Sequence, residues 1–157
     1  MDSDDRIVQI ELDEGLGARG KPEIEQERAI ALQAFIEENS FSIRDGEVGP
    51  YHLTLGLDED RLLMKVRALA SEEYVLIGLP LSPFRKIFRD YFLICDSYFE
   101  AIRDKPLSYI EAIDMGRRSL HNEAAEKLCA ALDDRVLIDK TTARRLFTLL
   151  CVLHSRH

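Results

Sequence analysis

The fold is decided by the stretch from Tyr51 to Leu79, which has the sequence YHLTLGLDEDRLLMKVRALASEEYVLIGL. Within three segments of it, apolar residues recur at every second position, which is the period of a β-strand with one buried face. These segments are Tyr51–Leu57, Arg61–Leu69 and Tyr74–Leu79, separated only by short turns. Because short connections require antiparallel neighbours, the stretch predicts a three-stranded meander with one apolar face.

The residues on either side of the meander predict further strands and four helices. Ile7–Leu12 alternates and predicts an N-terminal strand. The segment 39–50 contains two glycines and a proline and is predicted to be turn and loop, and Arg135–Ile138 is a short candidate strand. Helices are predicted over 23–38 after Pro22, from Ser82 to about Asp104, from Ser108 through Ala131, and from caps at 139–142 to His154.

This order of elements predicts an α+β protein. We expect a small antiparallel sheet, formed by the meander and the N-terminal strand, packed on one face by about four helices. The length of 157 residues is that of one domain, so we expect a single domain over 1–157.

Two of the predicted helices carry enough apolar residues to form the core. Ser82-Pro83 has the pattern of a cap followed by proline, and the helix after it carries a broad aromatic stripe of Phe84, Phe88, Tyr91, Phe92, Tyr98 and Phe99. We expect this helix to be central, covering the apolar face of the sheet and contacting the last helix near Phe147 and Leu150. The last helix is apolar on nearly every side over Leu146–Leu153, which predicts that it is buried.

Charge and cysteine content exclude several classes of protein. The net charge of −8 repels phosphate backbones and anionic lipids, so we expect neither nucleic-acid nor membrane binding. The acidic start Met1–Asp5 is the opposite of a secretion signal. Cys95, Cys129 and Cys151 are widely spaced within apolar helical patterns, which indicates unpaired thiols in a cytoplasmic protein.

A glycine pattern at 15–20, G-L-G-A-R-G, resembles a dinucleotide-binding loop. In such loops the helix begins within the glycines, so that its N–H groups meet the phosphates. Here Pro22 marks the helix start, and Asp13 and Glu14 place negative charge beside the supposed phosphate site. We therefore interpret the segment as a loop and predict no cofactor.

The polar residues that are most concentrated lie in the helix that begins at Ser108, where Ser108 and Glu111 form a capping-box pattern. About three turns bring together Asp114, Arg117, Arg118, His121, Asn122 and Glu123. Asp114 is three and four residues from the two arginines, so we expect it to pair with one of them. Gly116 in the middle of this helix indicates that a backbone or ligand approaches closely.

Two hypotheses explain this cluster. In the first, His121 is a general acid or base oriented by Asp114, and an anionic ligand is held by Arg117, Arg118, Asn122, Glu123 and Arg85. In the second, the same residues form an ion-pair network between helices, which is the interpretation we prefer because structural networks cluster charges in the same way. The histidines have no paired ligand spacing, so no metal site is predicted.

Basic residues occur in three groups, at Arg85-Lys86 with Arg89, at Arg117-Arg118 and at Arg144-Arg145. If the helices brought these groups together, they would form an anion site on an acidic protein. The competing interpretation is that each group lies on an ordinary solvated helix face.

The whole chain resembles an uncharacterised family of small alphaproteobacterial proteins. The resemblance is carried by strings that include Glu27-Arg-Ala29, Gly49-Pro-Tyr51, Pro83-Phe-Arg85, Glu111-Ala-Ile-Asp-Met-Gly-Arg-Arg118, His121-Asn-Glu123 and Ala143-Arg-Arg-Leu-Phe-Thr148. It implies no activity, substrate or cofactor.

The sequence alone leaves two functions open. One is a non-enzymatic cytoplasmic domain that binds or regulates a partner protein, which fits the lack of a complete catalytic constellation. The other is an enzyme or sensor for a small anionic ligand, built on Asp114, Arg117, Arg118 and His121. Homo-oligomer formation is open as well.

Overall fold

The computed structural model of the protein describes residues 4–13 and 22–154. In chain order its elements are β1 Ile7–Leu12, α1 Pro22–Glu37, β2 Phe41–Ile43, β3 Tyr51–Asp58, β4 Arg61–Ala68, β5 Val75–Pro80, a 3₁₀ turn Ser82–Phe84, α2 Arg85–Asp104, α3 Leu107–Leu132, β6 Val136–Ile138 and α4 Lys140–His154. The α+β class is confirmed. The glycine segment at 15–20 lies outside the described residues.

The main sheet has the strand order β1-β3-β4-β5. Its meander β3–β4–β5 is antiparallel, with Leu53 opposite Val66 and Met64 opposite Ile77, as predicted. The N-terminal strand differs from the prediction of an antiparallel sheet, since β1 pairs with β3 in parallel. Parallel neighbours need a long crossover, and the connection from β1 to β3 is long enough to contain α1 and β2. The sheet is therefore mixed.

A second, two-stranded sheet joins β2 to β6, with Phe41 opposite Ile138. The prediction that 39–50 is only turn and loop is thus wrong at Phe41–Ile43, whereas the predicted strand at 135–138 is confirmed. Three residues give little periodicity, and the pairing partner lies almost a hundred residues away. Phe41 and Ile43 are nevertheless buried on either side of the half-buried Ser42, so a two-residue alternation was present.

One face of the meander supplies much of the core. Its alternating side chains are all 2% exposed or less: Tyr51, Leu53, Leu55, Leu62, Met64, Val66, Ala68, Ile77 and Leu79. The opposite face carries half-buried and exposed residues such as Thr54 and Lys65. This is the single apolar face that the alternation predicts.

Helix α4, and not α2, is the central helix. It packs against α1 on one side and α3 on the other, and its buried residues include Ala143, Leu146, Phe147, Leu149 and Leu150, so its predicted burial is confirmed. The prediction that the Ser82–Asp104 helix is central is wrong, because α2 packs mainly on α3. An apolar stripe needs cover on one side only, whereas a helix that is apolar almost all round must be enclosed.

The aromatic stripe of α2 is divided along its length. Phe88 is buried and stacks on Phe147 with ring centroids 5.3 Å apart, which confirms the predicted contact with the last helix. At the other end of α2, Phe99 is 60% exposed, so its predicted place in the core is wrong. Within the described residues, no helix is both long and apolar enough to cross a membrane.

The helix starts depend more on prolines than on the predicted caps. Ser82 lies within the 3₁₀ turn and α3 begins directly after Pro106, in both cases without a side-chain cap. The Ser82 cap and the Ser108–Glu111 capping box are therefore wrong, since Pro106 holds an extended backbone that ends one helix and begins the next. Asp139 does cap α4, accepting a 2.8 Å hydrogen bond from the N–H of Thr142.

Two phenylalanines of α2 test this division of the helix. Phe88→Ala removes a buried ring that stacks on Phe147, so we expect it to lower the free energy of unfolding by about 3–5 kcal/mol. Phe99→Ala removes a mostly exposed ring, and we expect a change within about 0.5 kcal/mol. Urea denaturation in dilute protein measures both. Equal losses in the two variants would contradict the placement of the core.

Candidate functional site

The polar cluster of α3 is organised around Asp114. Its Oδ1 accepts hydrogen bonds from Arg117 Nη2 at 2.6 Å and Nε at 3.1 Å, and its Oδ2 lies 2.8 Å from Arg118 Nη2. The predicted pairing of Asp114 is confirmed, and both arginines take part. The hydrogen bond from Arg117, followed by the charges of both guanidinium groups, lowers the pKa of Asp114. One carboxylate therefore balances half the charge of two adjacent cations.

Arg117 also joins α3 to α2. Its guanidinium lies over the ring of Tyr98, 5.5 Å from the centroid, and it interacts with the hydroxyl of Tyr91. Burial raises the pKa of Tyr91 to about 12, so this phenol is neutral at physiological pH. Arg117 therefore connects the two helices. Its guanidinium lies over an aromatic ring of α2 and donates hydrogen bonds to Asp114 of α3.

His121 joins α3 to α4. Its Nε2 lies 2.9 Å from Oγ1 of Thr148, and its ring lies 5.6 Å from that of Tyr91 and 5.4 Å from that of Phe147. The hydroxyl of Thr148 is also placed to donate to the carbonyl oxygen of Arg144. In its contact with Nε2 of His121, this hydroxyl accepts or donates according to the tautomer of the imidazole ring.

Burial is the main cause that lowers the pKa of His121, and the nearby charges of Arg117 and Arg144 lower it further. The imidazole is therefore neutral near pH 7. The structure shows its hydrogen bond with Thr148, while the carboxylate of Asp114 is held by the two arginines; the catalytic roles of His121 and Asp114 stay predictions.

The other predicted ligand-binding residues lie in different surroundings. Asn122 accepts a 3.1 Å hydrogen bond from Nη1 of Arg144 on α4. Glu123 lines a small depression of about 160 Å³ beside Lys86 and Lys127. Arg85, at the start of α2, pairs with Asp60 at 2.8 Å. The structure thus brings Asn122 to the α3–α4 contact but places Arg85 at the far end of α2 from Tyr98.

The three basic groups have separate partners. Lys86 pairs with Asp90, and the neighbours Arg144 and Arg145 contact opposite helices: Arg144 reaches α3, whereas Arg145 donates to the carbonyl oxygen of Glu38 beyond the end of α1. Two cations from different groups, Arg117 and Arg144, do approach His121. Neither Thr148 nor Tyr91 was predicted from the sequence to belong to the site. Thr148 is the only polar residue in the apolar run Leu146–Leu153, which was the available signal.

Gly116 fits closely against α2. A Cβ atom at this position would lie 2.8 Å from Cδ1 of Ile94. A neighbour does approach closely, but the prediction of a backbone or a ligand is wrong, since the approaching group is a side chain of the neighbouring helix. The cluster therefore lies where α2 and α3 are tightly packed.

Among the larger depressions away from this cluster, two involve α2. One, of about 360 Å³, runs along α2 and is lined by Arg85, Phe88, Arg89, Phe92, Leu93 and Asp96. The other, of about 410 Å³, lies where α2 turns into α3 and is lined by Tyr109 and by residues from Ser97 to Lys105. In the part of the chain that the structure describes, no three His, Cys, Asp or Glu side chains come together as a metal site.

Fold and site together define an α+β protein in which a polar cluster on α3 connects three helices. The chain belongs to the uncharacterised protein family UPF0262, whose model matches residues 4–156. This confirms the resemblance seen in the sequence. No solved structure is significantly similar to the chain.

Relatives that carry the name UPF0262 protein come from alphaproteobacteria. One from Brucella anthropi is 51% identical over 152 residues, covering 96% of this chain and 94% of the relative. Those from Brucella canis and Mesorhizobium japonicum are each 50% identical with the same coverage. The similarity therefore extends over nearly the whole length of both partners.

The lowered pKa of His121 predicts a loss of stability in mild acid. Below the pKa of about 6.5 in the unfolded chain, the unfolded state binds a proton that folded His121 resists. The stabilising contribution is therefore complete above about pH 6.5 and is lost as the pH falls toward the folded pKa. Urea denaturation between pH 7.5 and 5 should show the wild type losing more stability than His121→Leu.

The ion pairs of Asp114 do not interfere with this test. The lowered pKa of Asp114 affects stability only at pH values near and below the ordinary carboxyl pKa of about 3.9. Parallel pH profiles for the wild type and His121→Leu between pH 7.5 and 5 would show that His121 is not coupled to folding.

Proposed function

We propose that the protein is a non-enzymatic cytoplasmic domain that binds a partner protein through the depression along α2. The main support for this proposal is the exposure of Leu93. This side chain is 61% exposed beside Phe92, and it lines that depression. Large apolar side chains exposed next to a concave apolar surface are typical of protein-binding sites.

The polar cluster supports this proposal by the partners its groups already have. Asp114 is held by Arg117 and Arg118, and His121 contacts Thr148. An incoming anion would have to displace Asp114 from its arginines, or bind beside it against its charge. These groups are thus better suited to holding α2, α3 and α4 together than to binding an anion.

The lining of the depression indicates the chemistry of the partner. Apolar side chains of Phe88, Phe92 and Leu93 line the depression together with the charged side chains of Arg85, Arg89 and Asp96. Burying one leucine-sized side chain of a partner is worth about 1.5–3 kcal/mol, and an adjacent carboxylate could pair with Arg89, because Arg85 already pairs with Asp60. We therefore propose a partner segment with an apolar anchor followed or preceded by an acidic residue.

Site-specific photo-crosslinking in an alphaproteobacterial host tests this binding surface. A photoreactive residue in place of Leu93 should link to one partner, at a segment that carries an apolar residue next to an acidic one. The matched control is Leu76, an equally exposed leucine on the outer face of the sheet, where no such product should form. The added variant Phe92→Ala should reduce the product at position 93.

Absence of a product at position 93, or the same products at positions 93 and 76, would overturn the proposal. Mapping the crosslink to a segment without an acidic residue would overturn the proposed role of Arg89.

A specific observation favours a second candidate, an enzyme or sensor for a small anionic ligand: Arg117 and Arg144 both lie near His121. The charges of both arginines reach the imidazole and lower the pKa of His121. Titration with inorganic phosphate, followed by the NMR signals of the His121 ring, tests it. A saturable shift that Arg144→Gln abolishes would support anion binding, and unchanged signals at millimolar phosphate would exclude it for phosphate.

A further inference from the structure

The antiparallel hairpin formed by α2 and α3 is longer than the helix that covers it. The contact between His121 and Thr148 sets the relative position of α3 and α4, and the described part of α4 ends six residues later at His154. Six residues advance a helix by about 9 Å, which reaches roughly the level of Met115. About two turns of α3, Leu107–Asp114, therefore extend beyond the described end of α4, together with the last turns of α2.

Apolar residues continue along the hairpin past this point. On α2 they recur at Tyr91, Cys95, Tyr98 and Ile102, with spacings of four and three residues, the repeat of a helix seam that packs on other helices. Tyr91 lies against Phe147 of α4, and Cys95 is close to Cys151. Beyond these residues Ile102 is 50% exposed. The seam covered by α4 at one end thus continues uncovered, among the described residues, at the other.

We define the tip face as the side of the hairpin that continues this seam. It consists of Tyr98, Phe99, Ile102, Leu107 and Ile110. Leu107 is 69% exposed, Phe99 and Ile102 are at least half exposed, and Tyr98 and Ile110 are half-buried. Together these side chains expose on the order of 400 Å² of apolar surface, given about 150–250 Å² for a whole aromatic residue.

This area matches the apolar part of a protein–protein interface. A stable interface buries about 800 Å² on each partner, somewhat more than half of it apolar. The tip face with its surrounding polar side chains is therefore large enough for one partner of ordinary interface size.

The charge around the tip face favours a second copy of the same chain. The segment 99–118 contains four acidic residues, Glu100, Asp104, Glu111 and Asp114, and four basic residues, Arg103, Lys105, Arg117 and Arg118. Its net charge is zero, so the whole net charge of −8 lies outside it. Two copies repel each other over most of their surface but not here, and alternating signs allow a self-complementary contact.

We propose that the tip face is a homodimer interface, in which the hairpin of a second copy covers Phe99, Ile102 and Leu107. A two-fold axis would pair the same surface of both chains. Two hairpins packed in this way form a four-helix bundle, the common arrangement for amphipathic helix pairs. The tip face shares no residue with the lining of the partner-binding depression along α2, and either can exist without the other.

Sedimentation velocity over a range from about one to several hundred micromolar tests the dimer. The wild type should change from the mass of one chain, 18.0 kDa, to twice that mass. Ile102→Glu places a charge in the centre of the tip face and should weaken the dimer at least tenfold. The matched control is Ile30→Glu, the same substitution at a 62% exposed helical isoleucine of α1, which should dimerise like the wild type.

Circular dichroism and urea denaturation of the separated monomers show whether Ile102→Glu is folded, and Phe99→Glu provides a second variant at the interface. A wild type that is monomeric at every concentration would overturn the proposal, as would a dimer that survives both substitutions. Crosslinking from position 102 to a different protein, with no product between two copies, would assign the face to another partner. None of these results depends on the crosslink at position 93.

Discussion

The enclosure of α4 is the constraint on which the rest of the structure depends. Seven of its eleven residues from Ala143 to Leu153 are buried, and such a helix is stable only when other elements surround it. Helices α1 and α3 flank it, and its side chains belong to the same core as the apolar face of the meander. The parallel crossover from β1 to β3 serves this arrangement, because it carries α1 to the side of α4.

The polar cluster of α3 follows from the same packing. Arg117 faces the aromatic rings of α2, and His121 faces Phe147 and Thr148 of α4. Half-buried polar groups are stable only with partners, and Asp114 and Thr148 supply them. The residues that most suggest chemistry in the sequence are therefore also those that set the relative positions of three helices. The exposed apolar side chains that do not connect these helices lie along the outside of α2 and at the end of the hairpin.

Much of this structure could be predicted from the sequence, wherever a pattern is local. Alternation fixed the strands of the meander, the all-round apolar run at 146–153 indicated that α4 is buried, and helical spacing predicted the pairs of Asp114. The direction of β1 and the existence of β2 depend on partners far along the chain, Tyr51 and Ile138, which local periodicity does not report.

The aromatic stripe of α2 wrongly predicts that this helix is central, for a related reason. A stripe of aromatic residues shows which side of a helix is apolar, but not how far its neighbours extend along it. Phe88 is covered because α4 reaches it, whereas Phe99 lies beyond that reach. The contact between His121 and Thr148 was equally invisible, since it joins two helices whose relative position depends on the whole core.

Native-state hydrogen exchange tests the central claim, that α4 is the enclosed helix around which the protein folds. Exchange of the backbone amides is followed by mass spectrometry at increasing, sub-denaturing urea. We expect the amides of 143–153 to exchange only with global unfolding, together with those of the meander. Exchange of α4 through a local opening, while β3 and β4 stay protected, would contradict this claim.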